Sequence, residues 1–227
     1  MIHIIHGDDI AASRKRLTEI VETSKSIIYL DAEKAKSDEI SQAFSSTDMF
    51  FDAKCIVIEK VLKLSKEDLA HVILESNSKD LHNHIILWHN TELSKLFLGK
   101  FKNTQVESFM LPKLFFAFLD NLRPGALSIE LDTLLRMQNV EAEQVFYAMV
   151  KRIRLLLSVK SNLENEELQK MSPWQRSRLH DQGKNWTHAN LTELYEKLYL
   201  TEVKMKSGGL MLPLRKHLDI LLIQELN

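Results

Sequence analysis

The sequence predicts two domains, an α/β domain with a parallel sheet over residues 1–111 and an all-α domain over residues 112–227. Through Met110, short apolar runs rich in β-branched residues alternate with amphipathic stretches. This pattern is typical of strands that are buried on both faces and joined by helices. After Pro112 the strand pattern ends and only amphipathic stretches follow. Six Gly and four Pro in 227 residues are too few for the many turns of an all-β fold.

The first domain is expected to contain five strands separated by helices, which predicts βαβ crossovers. The predicted strands are Ile2–His6, Ser26–Leu30, Cys55–Ile58, His84–Trp88 and Gln105–Met110. The predicted helices are Ala11–Thr23, Ser37–Phe44, Ser65–Leu74 and Glu92–Leu98. Ser37, Ser65 and Thr91 stand where N-cap residues belong.

The second domain is expected to be a helical bundle. Pro112 opens its first helix, Arg123-Pro124-Gly125 interrupts it, and a short helix follows around Ile129 to Leu135. A long helix from Glu141 to Val159 carries an apolar stripe wider than one neighbouring helix would cover. Further helices are predicted to begin at Ser172-Pro173, at Thr187 and at Pro213. Trp186, Tyr195 and Tyr199 are interpreted as core residues of this bundle.

Composition and charge exclude several classes of protein. Cys55 is the single cysteine, which excludes a disulfide framework and favours a reducing cytoplasm. The opening residues lack the basic and long apolar stretches of a signal peptide, and no apolar segment reaches the roughly 18 residues that cross a bilayer. The net charge of −1 argues against a protein that holds DNA by itself. We therefore expect a cytoplasmic protein with no membrane partner.

The first strand is followed by a turn that cannot serve as a phosphate-binding loop. That loop requires Gly-x-x-x-x-Gly-Lys-Ser/Thr, in which glycine amides cradle the phosphates and the lysine reaches them. The turn here is His6-Gly7-Asp8-Asp9, with a single glycine and two carboxylates that repel a triphosphate. Neither Gly99-Lys100 nor Gly183-Lys184 has the required spacing. The sequence therefore predicts no nucleotide hydrolysis, no catalytic residues and no cofactor.

Other candidate sites have weak signals in the sequence. The histidines around His84 and His89 lack a cysteine cluster or a carboxylate at metal spacing, so we interpret them as surface or strand-end residues and predict no metal site. Lys151, Arg152 and Arg154 form a basic edge on the long helix. That edge is either a solvated face or a contact to another subunit or to DNA.

One connection breaks the rule that loops are polar. Met49, Phe50 and Phe51 lie between Asp48 and Asp52, directly before the third predicted strand. Such a cluster either packs on the sheet or presents apolar area to the pocket of a partner. The residues alone favour the first of these interpretations.

The same segment resembles the bacterial DNA polymerase III clamp-loader delta subunit family, which has a Leu-Phe pair followed by an apolar strand that often ends in Glu. Here the corresponding run is Ser46 to Glu59. The opening Ile4 to Asp9 is similar to the family's first strand and its turn without a phosphate-binding loop, and Ile85 to Trp88 is similar to its fourth strand. Met149 to Lys160 resembles its long collar helix. Ser172-Pro173-Trp174 and Glu202 to Gly208 resemble two later motifs.

The resemblance implies an AAA+-like clamp-binding domain at residues 1–111 and a helical collar at residues 112–227. It implies that Met49 and Phe50, with Phe51 beside them, insert into the pocket of the sliding clamp (beta), and that the collar joins the other loader subunits. Primer–template DNA would be a partner of the assembled complex. Met49 replaces the family's Leu, and the chain has little room for the family's small lid domain.

Two other functions remain open at this stage. One is a degenerate nucleotide-binding protein that binds a ligand at the carboxyl ends of its strands. The other is a DNA-binding adaptor without clamp-opening activity.

Overall fold

The computed structural model describes residues 2–46, 53–78 and 83–227. The chain divides into two compact units, Met1–Leu111 and Pro112–Asn227. The first is a layered α/β unit and the second contains only helices among its elements. This confirms the predicted fold class.

The α/β unit is built on a five-stranded parallel sheet. Its strands are β1 (Ile2–His6), β2 (Ile27–Asp31), β3 (Cys55–Glu59), β4 (His84–His89) and β5 (Thr104–Ser108). They lie in the order β2-β3-β4-β1-β5, and every neighbouring pair is parallel. The carboxyl ends of all five strands therefore share one edge of the sheet, which is where parallel α/β proteins place their ligand sites.

Helices cover both faces of this sheet and explain its continuous apolar strands. The helices are α1 (Ile10–Val21), α2 (Ser37–Ser45), α3 (Lys66–Ser76) and α4 (Lys95–Leu98), and a 3-10 turn spans Val61–Lys63. On one face Leu17 and Ile20 of α1 pack with Val57, Ile86 and Trp88. The other core contains Ile4, Ile56, Ile58, Ile85 and Leu87, together with Ile40, Val72 and Phe97 from α2, α3 and α4. Successive residues of β3 and β4 thus enter different cores, and both cores exclude water.

The predicted N-caps of this unit were right once and wrong twice. The Ser65 hydroxyl accepts from the Asp68 N–H, as expected of an N-cap. Ser37 is instead the first helical residue, and the backbone N–H of the preceding Lys36 donates to the Glu39 carboxylate. The helix predicted from Glu92 begins only at Lys95, with Ser94 rather than Thr91 as its cap. Leu93 lies outside the helix because of tertiary contacts: its side chain is buried, and its N–H donates to His6 Nδ1.

The second unit consists of seven helices among its described elements. They are α5 (Lys113–Asn121), α6 (Leu127–Arg136), α7 (Ala142–Lys160), α8 (Glu166–Lys170), α9 (Pro173–Gly183), α10 (His188–Lys206) and α11 (Leu214–Glu225). Ser172 and Gln175 form a capping box at the start of α9, and the Thr187 hydroxyl caps α10. The short α8 was not predicted.

The apolar stripe of α7 is covered inside the helical unit. Val145, Phe146, Met149, Ile153 and Leu156 are each 0% exposed, and α7 packs against α5, α9, α10 and α11. Trp186 is also core, and its Nε1–H donates to the Leu122 carbonyl. Tyr199 is 62% exposed, so its interpretation as a core residue was wrong.

Candidate functional site

The turn between β1 and α1 lies at the carboxyl edge of the sheet, where a nucleotide-binding protein of this architecture would hold phosphates. Gly7 in this turn has φ +132°, a conformation open to glycine. A Cβ at this position would lie 1.9 Å from the Phe109 carbonyl oxygen. The backbone after β5 therefore lies directly against the turn and occupies space in front of it.

Two aspartates complete the closure of this turn. The Asp9 carboxylate caps α1 by accepting from the Ala12 N–H at 3.0 Å. The Asp9 N–H donates to the Phe109 carbonyl at 3.0 Å, and the Asp8 carboxylate accepts from the Leu111 N–H at 2.7 Å. The amides that would face a phosphate in a phosphate-binding loop are thus bonded to the protein's own oxygens. The carboxylates of Asp8 and Asp9 also place negative charge at the start of α1.

The residues after Gly7 do not match a phosphate-binding loop at any of its other defining positions. Counting from Gly7, Ala12 stands at the second glycine, Ser13 at the lysine and Arg14 at the Ser/Thr. Ser13 is fully buried, donates to the Ile10 carbonyl and accepts from Trp88 Nε1–H at 3.3 Å. It therefore provides no positive charge for a phosphate.

Arg14 makes both an ion pair and a cation–π contact in this site. Its guanidinium makes a bidentate ion pair with Glu59 at the end of β3, in which Nη2 lies 2.7 Å from Oε2. The guanidinium carbon also lies 3.8 Å from the centroid of the Trp88 ring, a cation–π contact. The hydrogen bonds that Arg14 donates to the Glu59 carboxylate raise the pKa of Arg14. The pair bridges α1 and β3 across the end of β4. The side chains of Arg14 and Glu59 therefore occupy this part of the carboxyl edge of the sheet.

Buried histidines line the neighbouring strand ends. His6 and His89 are aligned in the β1–β4 register and are 4% and 6% exposed. Burial lowers the pKa of both imidazoles, so both favour the neutral form. His89 is the last residue of β4, in agreement with its interpretation as a strand-end residue, and its side chain is buried. Among residues 2–46, 53–78 and 83–227, no group of three or more His, Cys, Asp or Glu side chains is placed to hold a metal ion.

Met49, Phe50 and Phe51 lie outside the described residues, but the residues that flank their segment are described. The Lys54 side chain is 5% exposed, and its ammonium donates to the Ser46 carbonyl and, at 2.8 Å, to the Ser46 hydroxyl. A buried lysine needs such partners to remain charged at low cost. Lys54 thus joins the end of α2 to the start of β3.

The basic edge predicted on α7 separates into three environments. Lys151 is exposed. Arg152 is ion-paired with Asp120 at 3.0 Å, with 18% of its side chain exposed, and burial lowers its pKa. Arg154 is exposed but makes two hydrogen bonds of 2.9 and 3.0 Å to the Glu167 carboxylate. The three cations therefore do not form one continuous free patch.

A second candidate site, not predicted from the sequence, surrounds Asp120 in the helical unit. Its carboxylate lies 3.0 Å from both Arg152 and Arg178, which leaves the group with one excess positive charge. The Arg178 guanidinium lies 4.9 Å from the ring centroid of Trp174, whose side chain is 65% exposed. Together with Phe116 these residues line a cavity of about 260 Å³. Exposed aromatic faces beside arginines are typical of sites that stack nucleic-acid bases.

Comparison with known proteins gives similarities in fold. No family model matches the chain, and no curated protein matches it in sequence. Among solved structures, it is similar to the Bacillus subtilis DNA clamp loader delta protein at 11% identity and a TM-score of 0.48, over 99% of this chain and 95% of that one. It is similar to a DNA polymerase III gamma subunit-related protein from Thermotoga maritima at 16% identity and a TM-score of 0.38, over 99% and 93% of the two chains.

A third similar structure is Drosophila ORC bound to DNA, at 10% identity and a TM-score of 0.32, over 52% of this chain and 27% of that one. Among the described residues no helix is long and apolar enough to cross a membrane. The solved structures to which this α/β-plus-helical chain is similar thus include a clamp-loader delta protein and a polymerase III gamma-related protein.

Proposed function

We propose that this chain is a non-catalytic, delta-like subunit of a DNA-replication clamp loader, which binds the sliding clamp and helps to open it. The observation that carries the proposal is that Arg14 and Glu59 pair with each other at the carboxyl edge of the sheet, the edge where parallel α/β proteins bind nucleotides, and that no lysine follows Gly7 at phosphate-loop spacing. A loader subunit without a usable nucleotide site acts through its contacts, and the clamp, the other subunits and DNA are the contacts to test.

The side chains at the β1–α1 turn and the Arg14–Glu59 pair argue against a degenerate nucleotide-binding protein. A triphosphate would meet the carboxylates of Asp8 and Asp9, and no lysine stands at the position of the phosphate-binding one. Its entry would also break the bidentate pair between Arg14 and Glu59, whose Glu59 side chain is 17% exposed. Calorimetric titration with ATP and Mg²⁺ should give no binding heat, and specific binding would favour the nucleotide-binding alternative.

The clamp contact is assigned to Met49, Phe50 and Phe51. The hydrogen bonds from the Lys54 ammonium to Ser46 support this assignment. They hold together the two ends of the connection between α2 and β3, and they do not involve its apolar side chains. Rigid supports lower the entropic cost of presenting an apolar anchor to a pocket.

The decisive experiment compares Phe50→Ala with the unchanged chain in binding to the host's sliding clamp. Loss of a buried aromatic anchor typically costs at least ~2 kcal/mol, more than a tenfold loss of affinity. Met211→Ala is the matched control, because Met211 is 96% exposed in the helical unit, and it should bind as tightly as the unchanged chain. A large fall in melting temperature for Phe50→Ala, with unchanged affinity of the folded fraction, would identify a core cluster and refute the assignment.

The helical unit is proposed to join the other loader subunits. Because the α7 stripe is covered, the candidate contact surface is on α10 and α11, where several large apolar side chains are 41–62% exposed: Tyr199, Leu200, Val203, Ile220 and Ile223. Val203→Asp should reduce co-sedimentation with the loader's motor subunit, because it places a charge in an apolar contact. Co-sedimentation at the unchanged level would remove α10 from the interface.

The cavity around Asp120 is proposed as the contact to primer–template DNA in the assembled loader. Trp174 provides an exposed ring, and Arg178 provides both charge and a stacking plane. Trp174→Ala should weaken DNA binding by the complex roughly 5- to 150-fold, since a base stacked on an aromatic contributes about 1–3 kcal/mol. Clamp binding by the same variant should not change. Equal DNA affinity of the two complexes would contradict this assignment.

A further inference from the structure

Two histidines meet on the face of the sheet that α1 covers, near the amino ends of the strands. His3 of β1 and His84 at the start of β4 follow the same alternation as Ile5 and Ile86, whose side chains lie in the core that includes α1. His3 Nδ1 lies 3.3 Å from His84 Nε2, and the two ring centroids are 4.9 Å apart. His3 is buried and His84 is partly exposed, so the pair is not sealed from solvent.

A chain of hydrogen bonds determines which nitrogen of His3 carries a proton. Gln105 is aligned with His3 in the β1–β5 register, and its amide nitrogen donates to the Glu107 carboxylate at 3.2 Å. Glu107 is held in turn by the Arg16 guanidinium, whose Nε lies 2.8 Å away. The amide oxygen of Gln105 therefore faces His3 and lies 2.6 Å from its Nε2.

This orientation leaves a lone pair on the other ring nitrogen of His3. An amide oxygen only accepts hydrogen bonds, so the single proton of a neutral His3 ring is on Nε2, and Nδ1 presents its lone pair to His84. Histidines that bind metal ions are usually held in this way, with the outer N–H donating to an oxygen that fixes the ring and its tautomer. Gln105 has that position beside His3.

The separation of the two nitrogens fits a tetrahedral metal ion. Nitrogens bound to one ion at about 2.05 Å lie about 3.3–3.4 Å apart at the tetrahedral angle, but about 2.9 Å apart at the right angle of square-planar or octahedral sites. The tetrahedral arrangement also sets two ring centroids about 5 Å apart. The observed separations of 3.3 and 4.9 Å match these values, whereas hydrogen bonds donated by N–H are usually about 2.9–3.0 Å long.

We propose that His3 Nδ1 and His84 Nε2 bind one Zn²⁺ ion, with water in its two remaining positions. Zn²⁺ prefers tetrahedral geometry and binds imidazole nitrogen. Within the described part of the chain neither nitrogen has another hydrogen-bond partner, so the ion replaces only the contact between the two rings. Two ligands supply about half the binding free energy of a four-ligand site, which predicts a Kd between about 10⁻⁴ and 10⁻⁶ M.

Calorimetric titration of the full chain with ZnCl₂ near neutral pH tests the site. His84→Gln should weaken Zn²⁺ binding at least tenfold, because it leaves a single protein ligand. The matched control is His180→Gln, since His180 is an exposed histidine of the helical unit, and this variant should bind Zn²⁺ as tightly as the unchanged chain. Circular dichroism of each variant verifies that it is folded.

Gln105→Met tests the site without removing either ligand. The Gln105 residue is exposed, so its replacement should leave the fold intact. Loss of the amide oxygen allows the His3 proton to move to Nδ1, and Zn²⁺ binding should weaken about tenfold, the lower end of the effect of such supporting residues. An unchanged affinity would contradict the assigned tautomer and the site that depends on it.

Long-range proton–nitrogen NMR spectra of the histidine rings identify the ligands directly. Zn²⁺ should shift the His3 Nδ1 and His84 Nε2 resonances and leave those of His89, at the other end of β4, in place. The proposal is overturned if Zn²⁺ does not bind below millimolar concentration, if His84→Gln binds it as tightly as His180→Gln, or if the two resonances do not move. The site involves neither the clamp nor DNA, so its failure and a failure of the proposed function are separate results.

Discussion

Glu130 offers a direct test of how charge is held in the helical unit. It lies in the first turn of α6 and is 0% exposed, and neither carboxylate oxygen has a hydrogen-bond partner among the described residues. Burial raises its pKa from 4.5 to about 7, and the charge of Arg123 opposes this shift to a smaller extent. The folded state therefore prefers the neutral carboxyl below about pH 7.

The sign and size of the effect follow from linkage. A carboxyl whose folded pKa is raised contributes stability below the unfolded pKa of 4.5, and that contribution is lost as the pH rises through about 7. A difference of 2.5 pKa units corresponds to about 3 kcal/mol. Glu130→Gln removes the charge while keeping the shape. We expect the variant to gain stability over the unchanged chain as the pH rises from 4.5 to 8, by up to about 3 kcal/mol at the upper end.

Urea unfolding of the full chain, followed by circular dichroism at several pH values between 4.5 and 8, measures this gain. The difference between the two proteins cancels the contributions of all other titrating groups. Glu143→Gln is the control, because Glu143 is exposed in the first turn of α7, and its difference from the unchanged chain should stay small at every pH. A Glu130→Gln variant that is destabilised at pH 8, or a difference that does not vary with pH, would show that the carboxylate has compensating partners and refute the reasoning.

The remaining predictions concern the α/β unit. Arg14→Met should lower the free energy of unfolding in urea titrations by about 1–2 kcal/mol, because Glu59 loses its bidentate partner and the 42% exposure of the Arg14 side chain limits the loss. Arg14→Lys should recover only part of this loss. If neither variant loses stability, the pair does not stabilise the fold. Gly7→Ala should cost at least about 3 kcal/mol through its clash with backbone, whereas Gly125→Ala, with φ +79° and open space, should cost about 1 kcal/mol in the same titrations. The pKa of His84 is lowered to about 4 by burial and by His3, so stability should fall as the pH drops from 6.5 toward 4, and His84→Gln should flatten this decline; an unchanged slope would exclude His84 as its source.

The architecture could be predicted from the sequence because the patterns that indicate this fold are local. Continuous apolar runs such as Cys55 to Ile58 can only be buried on both faces, which places them in a covered parallel sheet. Helix starts with a good hydrogen-bonding cap, such as Ser65 and Thr187, were also readable. The helix expected from Glu92 failed because a contact distant in sequence, from the Leu93 N–H to His6, decides where it begins.

The candidate sites were less predictable because they depend on residues far apart in the chain. Arg14, Glu59 and Trp88 meet only when α1, β3 and β4 are assembled, and each is unremarkable in its own segment. The cavity that includes Phe116 and Trp174 likewise joins α5 to α9. Periodicity identifies which residues are buried, but it does not show which polar side chains meet. The role of Met49, Phe50 and Phe51 stays a prediction.

The Arg14–Glu59 pair has a consequence for how such a protein could change over evolutionary time. Building a phosphate-binding loop at this turn would need changes at Ala12, Ser13 and Arg14, and the backbone of Phe109 would still lie against Gly7. Replacing Arg14 alone would leave the largely buried Glu59 carboxylate without its partner, and replacing Ser13 alone would put a lysine beside amides that already have partners. A phosphate site at this turn would therefore need several substitutions together, whereas single changes on the exposed faces of the chain are cheap in stability and are the easier route to a new contact.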